Sequence, residues 1–220
     1  MWKNAAEPST VAEVKPQCRL YLQFPAQPSA KLDAQLAEAL ASADTACVLL
    51  SRDEAKVDES EVDRLIDLVQ CHRVACLIED DAELAERLGA DGVHLDVADP
   101  DGYAKTRSLL GANAIMGAGC GLSRHDAMRL AEMGADYVAF GAAETSVDAI
   151  DQVADLIAWW AEIFVVPCVA WNIDRIGDAE RLASLGADFI APSAHIWKDA
   201  RAPRVITEMA SAISHVRRAA

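Results

Sequence analysis

The chain has no C-x-x-C pair, no G-x-G-x-x-G, no G-x-x-x-x-G-K, and no lysine between Lys105 and Lys198. The first absence argues against a zinc site. The next two remove the usual signatures of nucleotide binding by an open, doubly wound sheet. The fourth leaves a long central stretch without the compact cation that commonly holds phosphate. No run of about 18 apolar residues passes without a charge, so nothing reads as a bilayer span. Residues 1–17 carry Pro8 and Pro16 and lack the apolar centre of a signal peptide, so they are expected to form a flexible N-terminal arm. Lys and Arg number 20 against 35 Asp and Glu, a formal net charge of −15. Such a surface repels nucleic acid and anionic membranes, and an anionic substrate would need a metal or local cations. The six cysteines, Cys18, Cys47, Cys71, Cys76, Cys120 and Cys168, sit mostly in apolar runs. There a reduced thiol behaves as a small hydrophobe, which points to the cytoplasm.

What is present is a repeated phrase. Gly89-Ala90-Asp91, Gly134-Ala135-Asp136 and Gly186-Ala187-Asp188 each follow a helix-like stretch and open a short apolar run. Glycine takes the left-handed conformation past a helix end at little cost. An apolar run without clean alternation suits a parallel strand covered on both faces. Eight such runs occur: 18–24, 46–50, 74–78, 92–95, 114–117, 136–141, 165–171 and 188–191. Helix starts are expected at Ser29, Ser60 and Ser123. Alternating β and α units imply a parallel sheet, and eight of them in 220 residues predict an α/β fold, a (β/α)8 TIM barrel, as one domain over 18–220.

In such a barrel the site lies at the C-terminal strand ends. Asp80 and Asp99 would end adjacent strands there, and two carboxylates with substrate phosphates are a common way to hold Mg2+. The competing reading is that such acids cap helices, which is preferred for Asp81 and Asp101.

The stretch from Cys76 to Asp81 (C-L-I-E-D-D) and that from Leu88 to Leu95 (L-G-A-D-G-V-H-L) resemble the central signature of thiamine phosphate synthases and their TenI relatives. Gly134 to Gly141 resembles the next block of that family. The resemblance implies a barrel that couples a pyrimidine diphosphate to a thiazole phosphate with magnesium. It assigns the metal to Asp80 and Asp99. It assigns substrate contacts to Arg52, Glu79, Thr145, Trp171, Asn172 and Ser193.

Several positions depart from the pattern. The family's N-D-R is Glu79-Asp80-Asp81 here, a formal change from zero to −3 where diphosphate should bind. Like charges about 4 Å apart repel by roughly 4 kcal/mol at an effective dielectric near 20. The paired glycines that hold the thiazole phosphate are replaced by Trp171 and Asn172. Weak or absent synthase activity is therefore expected. The alternatives are a TenI-like tautomerase, with His125 or His195 as proton shuttle, and a non-catalytic barrel that binds a ligand or partner. The ligand is expected to be small and phosphorylated or heteroaromatic, and Arg124 or Arg175 is open as a replacement cation. Trp159 and Trp160 are adjacent and cannot both face the barrel, so one is expected to be exposed or in a homodimer contact.

Overall fold

Eight parallel strands close into a barrel in chain order, each hydrogen-bonded to the next and the last to the first. The strands are β1 Arg19–Pro25, β2 Thr45–Ser51, β3 Ala75–Glu79, β4 Gly92–Leu95, β5 Ile115–Gly119, β6 Tyr137–Phe140, β7 Cys168–Trp171 and β8 Phe189–Ala191. The helices between and after them are α1 Ala30–Ser42, α2 Glu59–Cys71, α3 Ala82–Leu88, α4 Pro100–Leu110, α5 Arg124–Glu132, α6 Val147–Ile163, α7 Ile176–Ser184 and α8 Ala202–Ser214. A 3₁₀ turn, Ala194–Lys198, precedes α8. The computed structural model describes residues 17–27, 29–51, 58–96, 99–142 and 146–216. The arm expected over 1–17 lies outside these except for Gln17, whose side chain donates to the Ser214 carbonyl at 3.1 Å.

The repeated phrase is a strand-positioning device. Gly134 and Gly186 take left-handed backbone (φ 91° and 110°) just past α5 and α7. The following amides, Ala135 and Ala187, donate back to Leu130 and Leu182 at 3.1 Å each, which satisfies the last open helix carbonyls. The aspartate then reaches sideways. Asp91, Asp136 and Asp188 accept from the amides of Cys76, Met116 and Cys168 at 2.8, 2.8 and 2.9 Å, fixing each strand to its predecessor. Asp136 also pairs with Arg107 at 2.9 Å. Asp136→Ala should therefore cost about 1–3 kcal/mol by orphaning a backbone donor and a guanidinium. That lowers the thermal midpoint by roughly 3–10 °C. Asp136→Asn, which keeps an acceptor, should recover part of the loss in the same melting measurement.

Strand residues divide by parity into two cores. Leu20, Leu22, Phe24, Val48, Leu50, Cys76, Ile78, Val138, Phe140 and Ile190 face the helices. Tyr21, Cys47, Leu49, Leu77, Tyr137, Ala139, Val169 and Ala191 fill the interior, with Trp171 packed on them. The interior of β5 is built for its neighbours. A Cβ on Gly117 would fall 1.9 Å from the Tyr137 ring, and one on Gly119 would fall 2.2 Å from the Asp96 carbonyl.

Three local expectations need correction. The run at 165–171 becomes strand only from Cys168: Val165 is 99% exposed, and Pro167 has no N–H for a ladder. Asp58 rather than Ser60 caps α2, because its carboxylate accepts from both the amide and the hydroxyl of Ser60. Of the two readings for the adjacent tryptophans, exposure is the one overturned, since neither stands open. Trp160 is buried and donates to the Val166 carbonyl at 2.7 Å, while Trp159 is half-buried beneath the Arg124 guanidinium, 4.5 Å from its ring centroid. Ser29 and Ser123 do cap α1 and α5. Among the described residues no helix is long and apolar enough to cross a membrane.

Candidate functional site

The C-terminal end of the barrel opens into a cavity of about 350 Å³ lined by His94, Asp96, Gly119, Gly121, Ala139, Gly141, Ala142, Trp171 and Asn172. Small residues from β5 and β6 make the room. The bulk comes from β7.

Trp171 turns inward from the end of β7. Its indole stacks on His94 at 4.6 Å and 11°, and tilts against Tyr21 at 5.3 Å. It thus closes the top of the barrel core and forms one wall of the cavity. His94 is 0% exposed and is also stacked on Tyr137, whose hydroxyl lies 3.0 Å from Nδ1. Burial pushes the imidazole pKa down to about 3, so the ring is neutral at physiological pH.

Asn172 follows with φ of 61°, a left-handed backbone that asparagine tolerates better than most residues. Its side chain accepts from Gln23 at 3.1 Å and donates to the Ala142 carbonyl at 3.3 Å. Gln23 also donates to the Pro192 carbonyl at 3.0 Å, so the ends of β1, β7 and β8 are tied together. Beyond β8 the amide of Ser193 donates to the Asp174 carboxylate at 3.0 Å. The Ser193 hydroxyl is buried without a protein partner.

The acidic rim lies at the same end, because β3 and β4 are parallel neighbours. Asp80 has φ of 50°, and its carboxylate accepts from the Asp96 amide at 3.0 Å. Desolvation raises its pKa and the nearby Asp96 charge adds to that, while the Asp96 amide bond opposes both. Asp99 caps α4, with one carboxylate oxygen accepting from the amides of Asp101 and Gly102 at 2.9 Å each. Asp81 caps α3 in the same way, as expected, and Glu79 ends β3. Among the described residues no group of three or more His, Cys, Asp or Glu is placed to hold a metal ion. Asp80 and Asp99 each retain a second carboxylate oxygen, so they fit only the mode in which the substrate's own phosphates supply further magnesium ligands.

Of the other expected residues, Arg52 and Thr145 lie outside the described residues. Arg124 covers Trp159, and Arg175 lies 3.8 Å from Asp178 beside a different cavity. His125 and His195 are exposed and border neither Trp171 nor His94 in the mouth cavity. Sequence reasoning placed His94 in the barrel wall but missed its partners. Tyr21 and Tyr137 share its inward parity, and that parity was the available signal.

An inward-facing cavity at the C-terminal end of a closed parallel barrel places the chain among the (β/α)8 ligand-binding and catalytic barrels. The family model for thiamine monophosphate synthase matches residues 20–196, and the chain belongs to that family. It is 42% identical over 194 residues to a thiamine-phosphate synthase of Rhodospirillum centenum, covering 84% of this chain and 92% of that one. It is 41% identical over 151 residues to one of Erythrobacter litoralis, covering 64% and 70%. Among solved structures, it superposes on a thiamine phosphate pyrophosphorylase from Pyrococcus furiosus with a TM-score of 0.70 at 18% identity, over 90% of this chain and 96% of that one.

Proposed function

We propose that this barrel binds a flat, uncharged heteroaromatic ligand at its C-terminal mouth and that its turnover as a thiamine phosphate synthase is weak or absent. The observation that carries this reading is the lining of the cavity: an indole, a neutral imidazole and the Asp96 carboxylate, with no Lys or Arg among the described residues that line it. Two further features agree. The Ser193 amide, which the family resemblance assigns to the thiazole phosphate, is engaged by Asp174. Trp171 stands where a phosphate cradle of backbone amides needs residues without bulk. Magnesium, if a phosphorylated ligand carries it in, would meet Asp80 and Asp99 and would offset charge on that ligand. Reduced cysteines, five of them buried, suit a cytoplasmic setting.

The test is a steady-state assay with pyrimidine diphosphate, thiazole phosphate and magnesium, run beside a thermal-shift screen of each compound alone. Turnover below about 1 s⁻¹, the low end of ordinary enzyme rates, is expected. A higher rate would show that the altered rim still handles diphosphate. Stabilisation by phosphorylated compounds only, and never by their uncharged alcohols, would overturn the ligand class.

Trp171→Gly probes the same reading. It should cost about 2–4 kcal/mol, in the lower part of the range for losing a large core side chain. It should also gain stabilisation by thiazole phosphate that the parent chain lacks. At a ligand concentration about a hundredfold above Kd that gain is about 2.7 kcal/mol, or roughly 5–10 °C. Equal thermal shifts in both proteins would show that the indole blocks nothing.

A further inference from the structure

The face of the barrel opposite the mouth, where helices end and strands begin, carries an apolar patch that the described residues leave open. Of the five large hydrophobic residues exposed among the described ones, two stand two positions apart between α6 and β7: Ile163 at 60% and Val165 at 99%. They border a cavity of about 390 Å³ that runs from Trp160 and Phe164 to Asp188, just before β8. Its floor is firm, because the Phe164 ring stacks on Trp160 at 4.0 Å and 14°. A contiguous exposed apolar surface of this kind marks a contact site. The charged residues on the cavity lining, among those described, are Glu162 and Asp188, both acidic.

The chain enters β1 at the edge of this cavity. The Arg19 amide donates to the Asp188 carbonyl at 3.1 Å, and the Gln17 side chain is held on the same face by the Ser214 carbonyl at the end of α8. The segment before Gln17 therefore starts from this face. From β1 across β8 to β7 is about 10 Å at the usual strand spacing, and the stretch from Val11 to Pro16 can span up to about 20 Å. We propose that the N-terminal segment, residues 1–16, covers this face, with Val11 and Val14 seated on Ile163 and Val165. Charge favours it over a second copy of the chain. The segment carries two lysines against two glutamates, so the net charge of −15 belongs to the remainder of the chain. A second copy would bring that charge with it, and like charge opposes self-association. Lys15, beside Val14, complements Glu162 and Asp188. This contact lies away from the mouth and does not depend on what the mouth binds.

The test is methyl nuclear magnetic resonance on the full chain with labelled isoleucine and valine. Nuclear Overhauser contacts from the Val11 and Val14 methyls to those of Ile163 and Val165 are expected. In samples that mix labelled with unlabelled copies, these contacts should scale with the labelled fraction, since both partners belong to one chain. Contacts that fall with the square of that fraction overturn the proposal and give the face to a second copy. Ile163 and Val165 methyls that touch nothing beyond their own loop overturn it by leaving the face bare. Amide hydrogen exchange supplies a second reading. Val11→Asp combined with Val14→Asp should speed exchange at Val165 and Val166 about tenfold, as expected when a local contact is lost. Val165→Asp should speed exchange across residues 11–14 in the same way. Both changes lie outside the barrel core, so the strand amides should exchange as in the parent chain. Unchanged exchange at Val165 and Val166 in the double variant overturns the proposal.

Discussion

Gly92→Ala is expected to destabilise the barrel by more than about 4 kcal/mol, the range reserved for a small set of severe mechanisms. Gly92 opens β4 and is registered with Leu77 of β3 on one side and Ile115 of β5 on the other. A Cβ built there falls 1.9 Å from the Ile115 carbonyl oxygen and 2.7 Å from both its carbonyl carbon and its amide nitrogen. Those atoms belong to the backbone of the neighbouring strand, so no rotamer change can relieve the clash. The two strands must separate, and the ladder that closes the barrel breaks with them. A loss of that size lowers the thermal midpoint by roughly 10 °C or more in a chain of this length. Gly177→Ala is the matched control. Gly177 lies exposed in the first turn of α7, and a Cβ there meets nothing within 4 Å. Replacing a helical glycine by alanine in open space stabilises by about 0.4–1 kcal/mol. Thermal unfolding of both variants decides the matter: a Gly92→Ala midpoint within about 3 °C of the parent would show that β4 and β5 can part at little cost.

The barrel was legible because its punctuation is local. A glycine past a helix end and an aspartate two residues later are written in the chain three times, and each occurrence marks a strand. The aspartate's role was not legible, since its partner is an amide about 15–20 residues upstream that only the closed sheet brings near. The candidate site was readable as a set of strand ends and less so as chemistry. Trp171 could be placed at the mouth from parallel topology alone. That its indole would lie flat on His94 depends on the parity of two strands, β4 and β7, which are not hydrogen-bonded to each other. Asp174 is a further case. Nothing in Trp171-Asn172-Ile173-Asp174 announces that this carboxylate will engage the Ser193 amide across to the next strand end. Strand 7 was read too long for a related reason: Val165 and Val166 look like strand, but the proline after them withholds a donor and leaves Val165 in solvent.

Acid should weaken the fold earlier than carboxylate chemistry alone would, and His94 is the cause. Burial holds its folded pKa at about 3, against an ordinary value near 6.5 that the unfolded chain recovers. Between those values the unfolded chain binds a proton that the native chain refuses. Stability is therefore complete above about pH 6.5 and falls as the pH drops toward 3, by close to 1.4 kcal/mol per unit. The loss reaches about 3 kcal/mol by pH 4.5 and about 4 kcal/mol by pH 3. Asp80 acts in the opposite sense: its raised pKa makes the native chain bind a proton more readily, so it offsets part of the loss once carboxylates titrate. The clean window is accordingly above pH 4.5. Denaturant unfolding at a series of pH values from about 7.5 to 4.5 should show the slope in the parent chain. His94→Gln, which has no proton to take up, should flatten it whatever its absolute stability. Nuclear magnetic resonance titration of the His94 ring protons supplies an independent reading, with no inflection expected above about pH 4. A ring that titrates near pH 6 in the folded protein would mean that water reaches His94, and that the indole of Trp171 does not seal the top of the barrel.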